Sequence, residues 1–293
     1  MKPPTDWAAL RAAREARIAA DPETPGGMAA ANSDMVARVV AGMGPDSRAV
    51  SPEGGARAVA NMASDHAPAF CNPTGPKAYL NAYDLPAPAT VSATRQRVDA
   101  ALPLPAGYTQ QDIYFLALEV NGTGVRFYGD LCLVLKPQAT AADVRILNGN
   151  SYDLVRLPLS TRTGTDTALR SEAARFWGVW REDLTSMATL KVFAARRSER
   201  RFTTGQVSDA ILDDEDYLEV LRLGSFDASD LQEVRITAAS AAAEADAAER
   251  MRHGPTPSAA SLLWRRRRRD AVAAFEAAGV PVRVVSHSGR LKS

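Results

Sequence analysis

The sequence predicts an α+β fold: a mixed, mainly antiparallel sheet with flanking helices. Three observations carry this expectation. Two strongly apolar segments, 113–120 and 125–136, have strand composition and are separated by Asn121-Gly122. Later segments repeat apolar residues at spacings of three and four, the period of a helix with one buried face. Strand-like and helix-like segments do not alternate strictly, which argues against a doubly wound parallel sheet.

In the first apolar segment Ile113, Phe115 and Ala117 alternate with Tyr114, Leu116 and Leu118. Both faces are apolar, as in a central strand. Asn121-Gly122 tolerates positive φ and predicts a tight hairpin turn. The returning arm puts Leu131, Leu133 and Leu135 on one face, and Gly129 predicts a bend. Residues 143–147 read as a short strand ended by the turn Asn148-Gly149-Asn150-Ser151. The stretch 167–195 reads as one helix, with Leu169, Ala173, Phe176, Trp180, Leu184 and Met187 on its buried stripe. Two strands follow, 216–223 and 233–237, joined by Gly224 to Asp227. A helix over 238–252, a last helix capped by Ser258 and ended by Gly279, and a strand over 280–286 complete the reading.

These elements divide the chain into two parts. Residues 1–60 read as a helical, partly mobile extension, and 61–293 as a single α+β domain. Its sheet core falls at about 110–237, its C-terminal helices at 238–278 and its terminal strand at 280–286. The prolines between His66 and Pro105 predict a loop-rich entry to that core.

Composition excludes several functional classes. Lys and Arg total 35 against 34 Asp and Glu, so no global field draws the chain to nucleic acid or membrane. Two cysteines, Cys71 and Cys132, are too few for a disulfide framework, and with three scattered histidines they suggest no metal site. No run approaches the ~20 apolar residues of a membrane helix, and no apolar signal core opens the chain. A cytoplasmic location, or export by a route without a signal peptide, is the expectation.

Two constellations carry possible chemistry. In 216–221 a strand places Tyr217, Glu219, Leu221 and Leu223 on one face. A carboxylate among apolar neighbours is costly unless paired or functional, and the plainer alternative is an edge strand with Glu219 in solvent. The second is Trp264 followed by five arginines, Arg265 to Arg269. On a helix, successive residues turn by about 100°, so only two or three can face one way. Arg265, Arg266, Arg268 and Arg269 are candidate contacts to nucleic acid, against the alternative of a solvated, salt-bridged face with its stems packed on the core. The Cys71–His66 pair and Ser286-His287-Ser288 match no recognised nucleophile arrangement.

Several short motifs together resemble the ADP-ribosyltransferase-like superfamily. They are Ile113-Tyr114-Phe115, Tyr128-Gly129-Asp130, Val134-Leu135-Lys136-Pro137, Asn150-Ser151-Tyr152-Asp153 and Tyr217-Leu218-Glu219-Val220. The resemblance covers residues 70–237 and implies an ADP-ribosyltransferase-like core. It implies NAD as substrate and an unknown macromolecular acceptor, as for an effector or toxin. Glu219 and Tyr114 are the implied catalytic pair, with His66, Arg95, Arg97 and Tyr217 as candidate dinucleotide contacts. The chain departs from arginine-modifying members, in which Glu or Gln stands where this chain has Tyr217. A non-catalytic protein that binds nucleic acid or a protein partner through the basic helix is the competing expectation.

Overall fold

A computed structural model describes residues 41, 50–51, 54–75, 77–85, 91–140, 144–152, 154, 166–196, 204–212, 217–287 and 289–290. In chain order its main elements are β1 (Arg57–Met62), α1 (Ala67–Cys71), α2 (Ala93–Ala101), β2 (Ile113–Glu119), β3 (Leu131–Leu135) and β4 (Val144–Leu147). Then come α3 (Asp166–Phe176), β5 (Trp177–Val179), α4 (Trp180–Arg196), α5 (Thr204–Ile211), β6 (Glu219–Leu223) and β7 (Leu231–Thr237). The chain closes with α6 (Ala238–His253), α7 (Ala259–Ala277) and β8 (Val282–Val285).

The described strands form one eight-stranded sheet in the order β5-β4-β6-β2-β1-β3-β7-β8. Every pairing is antiparallel except β7 with β8. The expected α+β class with a mixed, mainly antiparallel sheet is therefore the observed one.

The predicted hairpin is not. β2 and β3 do not pair, because β1 lies between them, with Val59 opposite Ala117 on one side and Val134 on the other. The chain at Asn121-Gly122 leads into a short 3-10 turn, Arg126–Tyr128, and not into a two-residue loop. β1 reads Arg-Ala-Val-Ala-Asn-Met, with Val59 its only β-branched residue, so nothing local marks it as a strand. It also crosses the boundary drawn at residue 60, so the sheet begins before that position. Most of the remaining 1–60 segment lies outside the described residues.

The single helix expected over 167–195 is two helices, α3 and α4, with β5 between them. The break is at Gly178, where an added Cβ would sit 2.6 Å from the Met187 sulfur. β5 pairs with β4 at the sheet edge and carries the chain from one face of the sheet to the other. Leu169, Ala173 and Phe176 accordingly pack in one core cluster, and Trp180, Leu184 and Met187 in another.

The two faces differ in kind. One packs Tyr114, Leu116, Leu118, Leu131, Leu133, Leu135, Val220 and Val234 against helices α1, α4, α5 and α7. The other carries Ile113, Leu147, Leu221 and Leu223 under α2 and α3 at one end. Along the same face it buries Glu219, Glu233 and Arg235, all under a tenth exposed.

The Tyr128-Gly129-Asp130 motif has a structural explanation. Gly129 lies so close to the end of β1 that an added Cβ would be 2.1 Å from the Met62 carbonyl carbon. Asp130 accepts from the Ser64 amide at 2.9 Å and pairs with Arg268 at 3.0 Å. Arg268 is fully buried, with its guanidinium 5.6 Å from the Trp264 ring. This ion pair ties α7 to the start of β3 and to the short helix that follows β1.

Candidate functional site

β6 pairs with β2 in a register that sets Glu219 opposite Ala117 and Leu221 opposite Phe115. Directly paired residues share a face, so Phe115, Ala117, Glu219 and Leu221 point the same way. The expected common face of Tyr217, Glu219, Leu221 and Leu223 is present, and it points inward. Glu219 is 3% exposed, so the alternative of a solvated edge-strand glutamate does not hold.

β4 flanks β6 on its other side, with Leu147 opposite Glu219. Gly149, at φ 137°, lets the chain fold back after β4. That turn brings the Ser151 amide to 3.0 Å from Glu219 Oε2, to which it donates. Ser151 Oγ in turn accepts from Arg95 Nη1 at 2.9 Å. Arg95 stands in the first turn of α2, whose N-cap Ser92 accepts from the Arg95 amide. Its guanidinium lies 3.8 Å from the Phe115 ring centre and 5.0 Å from that of Tyr152. Its Nε and Nη2 both donate to Asp99, one helical turn later. Asp99 Oδ2 accepts from the Tyr83 hydroxyl at 2.8 Å. The result is a continuous chain, Glu219–Ser151–Arg95–Asp99–Tyr83, with two buried carboxylates and one buried guanidinium.

The electrostatics follow from that count. Burial pushes the Glu219 carboxyl above its ordinary range, and the charge on Arg95 and the hydrogen bonds from Ser151 offset only part of the shift. Burial also works against the Arg95 charge, but the bonds to Asp99 and the field of Glu219 outweigh it, so its pKa rises. Burial and the nearby Glu219 hold the Tyr217 phenol well above its usual value. A carboxyl with a raised pKa is suited to proton transfer, and in its ionised form a desolvated carboxylate stabilises a developing positive charge.

Two tyrosines, Tyr217 and Tyr128, lie within electrostatic reach of Glu219. Tyr217 and Tyr128 are hydrogen-bonded to each other. Tyr128 is 59% exposed, and its ring lies 3.9 Å from that of Phe127. The loop that carries them is held by Asn61 of β1, which donates to Thr123 and Gly129 oxygens and accepts from the Val125 amide.

The other sequence candidates lie elsewhere. Tyr114 pairs with Arg222, one residue out of phase with Glu219, and so faces the opposite side of the sheet. There its ring packs against Tyr79 and Phe226, with Lys77 at 5.9 Å from its centre. Tyr114 cannot share a site with Glu219 across the sheet. His66 ends the short helix that packs on α7; its side chain is 75% exposed and 3.8 Å from Asp65. Arg97 faces outward from α2 and pairs with Asp166 at 2.9 Å. Of the three candidate dinucleotide contacts in that part of the chain, only Arg95 reaches Glu219. Cys71 lies at the end of α1, not in a loop, and burial pushes its thiol up to about 11, which leaves it unreactive near neutrality.

The basic run is dispersed around α7. Arg268 is inside, Arg267 is 3.4 Å from Asp65, and Arg266 is 3.7 Å from Asp270. Arg265 contacts the Met251 sulfur, and Arg269 is exposed. Arg268 is therefore not available to nucleic acid, and the remaining arginines form no single unpaired stripe.

Sequence reasoning missed Ser151 as a ligand of Glu219, and missed Asp99 and Tyr83. It also missed Glu119, fully buried at the end of β2, which accepts from Val120 and Gly124 amides and from the Ser208 hydroxyl. Arg95 and Asp99 are one helical turn apart in sequence, the usable signal for their pairing. Among the described residues no helix is long and apolar enough to cross a membrane, and no group of three or more His, Cys, Asp or Glu could hold a metal ion. Comparison with protein-family models, curated proteins and solved structures finds no match for this chain.

Proposed function

We propose that the protein is an ADP-ribosyltransferase-like enzyme that takes NAD+ as substrate and modifies a macromolecular acceptor. The observation that supports this reading best is Glu219, a carboxylate buried on the face of the central sheet and held through Ser151 by Arg95. In such a reaction the bond between the ribose C1′ and the nicotinamide nitrogen breaks. Nicotinamide leaves with the bonding electrons, and positive charge develops on the ribose. A nucleophile on the acceptor then bonds to C1′ and gives up its proton. A desolvated carboxylate beside the ribose stabilises that charge far better than one in water. Glu219 is assigned that role here. Arg95 and Ser151 orient it, and Tyr217 and Tyr152 wall the site. Tyr114 has no part in this reading, nor do His66 and Arg97.

The test is release of free nicotinamide from NAD+ by purified protein, with transfer of labelled ADP-ribose to lysate proteins. Glu219→Gln, shown to be folded by its melting curve, is expected to lower both by about 10²–10³-fold. No release by the wild-type protein, or equal release by Glu219→Gln, removes the proposal.

A further inference from the structure

Beside the Glu219 site lies a half-buried cation with no acidic partner among the described residues. Arg290 is held in place by its backbone: its amide donates to the Gly124 carbonyl at 2.8 Å, and its carbonyl accepts from the Arg126 amide at 2.8 Å. The approach leaves no room for a side chain at Gly289, and Gly124 is itself packed against Asn61 of β1. An added Cβ on Gly289 would lie 2.5 Å from the Gly124 oxygen, and one on Gly124 would lie 2.5 Å from Asn61 Oδ1. Both glycines have positive φ, +65° and +64°. The segment is thus anchored, and the Arg290 side chain is delivered over Tyr217, 5.6 Å from the ring centre.

Arg290 Nη1 is buried and has no hydrogen-bond acceptor. A desolvated guanidinium nitrogen without an acceptor is unfavourable, and its natural complement is an oxyanion. The buried arginines discussed above each have an aspartate or glutamate within reach: Asp99 for Arg95, Glu233 for Arg235 and Asp130 for Arg268. The surroundings narrow the kind of anion. Tyr217 bonds to Tyr128, whose ring and that of Phe127 form an exposed aromatic pair. A fixed guanidinium next to exposed rings matches a ligand that joins a phosphate to a flat heterocycle.

We infer that Arg290 holds a phosphate oxygen of a nucleotide whose base stacks on the Phe127–Tyr128 pair. This rests on the reading of Glu219 as the centre of an NAD+ site and extends that site along the 122–128 loop. It makes the segment around Arg290, remote in sequence from Glu219, part of the same binding surface.

The experiment measures binding of inorganic pyrophosphate, ADP-ribose and nicotinamide riboside by calorimetry, in parallel with nicotinamide release. Wild-type protein is expected to bind ADP-ribose and, more weakly, pyrophosphate. Arg290→Gln is expected to weaken both by tenfold or more and to leave nicotinamide riboside unaffected. Arg290→Lys keeps the charge without the planar fork and is expected to fall between them. Phe127→Ala is expected to weaken ADP-ribose and not pyrophosphate. Melting curves of each variant separate lost binding from lost fold, and Arg290→Lys serves as the folded variant should Arg290→Gln melt early. Unchanged ADP-ribose and pyrophosphate affinity in a folded Arg290 variant overturns the inference, whatever Glu219 does. Pyrophosphate binding without ADP-ribose binding overturns the nucleotide assignment. Arg290-dependent ADP-ribose binding in a protein that releases no nicotinamide supports the subsite and overturns the transferase reading instead.

Discussion

Arg268 and Arg95 lie on opposite faces of the same sheet. Both are buried, both are held by an aspartate, and both guanidinium groups lie near an aromatic ring. Each also has a second carboxylate nearby, Glu244 at 3.8 Å for Arg268 and, through Ser151, Glu219 for Arg95. The difference is in the acids. Asp130 and Glu244 keep 29% and 23% of their side-chain surface in water, so their charges remain solvated. Asp99 and Glu219 are 1% and 3% exposed. One cluster is a clamp with its excess charge in solvent. The other confines an excess negative charge, and Glu219 bears the cost as a raised pKa. A structural tie needs only the first arrangement. The second is what a reactive carboxylate requires.

Substitutions can break this contrast. The largest loss of stability is expected on the clamp side. Arg268→Ala empties a fully buried side-chain site and removes the tie to Asp130, and should cost about 2–5 kcal/mol in urea unfolding, whereas Arg268→Met, which keeps the packing, should cost less. A loss under about 1 kcal/mol for Arg268→Ala would mean that the clamp holds nothing. On the other face, Glu219→Gln should lower nicotinamide release by about 10²–10³-fold, the size of one lost electrostatic contact to a transition state. Tyr83→Phe takes one hydrogen bond from buried Asp99 and should cost about 1.5–3 kcal/mol, since that acceptor is charged. A negligible cost would show that Asp99 does not depend on Tyr83.

The pH dependence sharpens the contrast further. The Glu219 carboxyl titrates above its ordinary value of 4.5 when folded. The folded state therefore keeps this proton to higher pH than the unfolded chain does. Glu219 accordingly costs stability as pH rises from its unfolded pKa through its folded one. Glu219→Gln, whose amide oxygen still accepts from Ser151, should gain in melting temperature on the wild type across that window and stay level with it at lower pH. A variant less stable than the wild type at neutral pH would make Glu219 a structural residue. The smallest effects belong to the exposed arginines. Arg266→Ala and Arg269→Ala should each change stability by no more than about 0.5 kcal/mol. Gel retardation with duplex DNA at low salt should show no difference between these variants and the wild type.

How far each feature could be read from sequence depends on the range of the interaction that makes it. Strand composition alone marked β2, β3, β6 and β7, and period-two spacing put Tyr217, Glu219 and Leu221 on one face. The motif Asn150-Ser151-Tyr152 and the pair Tyr128 and Tyr217 do meet around Glu219. Tyr114 failed for a different reason. Whether it shares a face with Glu219 depends on the β2–β6 register, and a shift of one residue reverses the answer. Nothing local sets that register across the long stretch between them. β1 escaped notice because its neighbours supply what its own residues lack: it is an alanine-rich strand buried between two strongly apolar ones. Asp99 lies in 90–101, the one stretch between His66 and Pro105 open to a helix, whereas Tyr83 lies where the prolines suggest loop, and their bond appears only when α2 docks beside Phe115.

The insertion of β1 between β2 and β3 also governs how this sheet can be assembled. Strands consecutive in sequence are mostly not neighbours in the sheet, and β1, β6 and β7 each find partners far along the chain. No pair can zip from a tight turn, so loop-closure entropy opposes each early step and is recovered only when several strands are in place. Topologies dominated by such non-local pairing fold more slowly than those built from local contacts. Once formed, this sheet resists local opening at its centre, where Ala117 and Glu219 pair, because removing any inner strand undoes two ladders together.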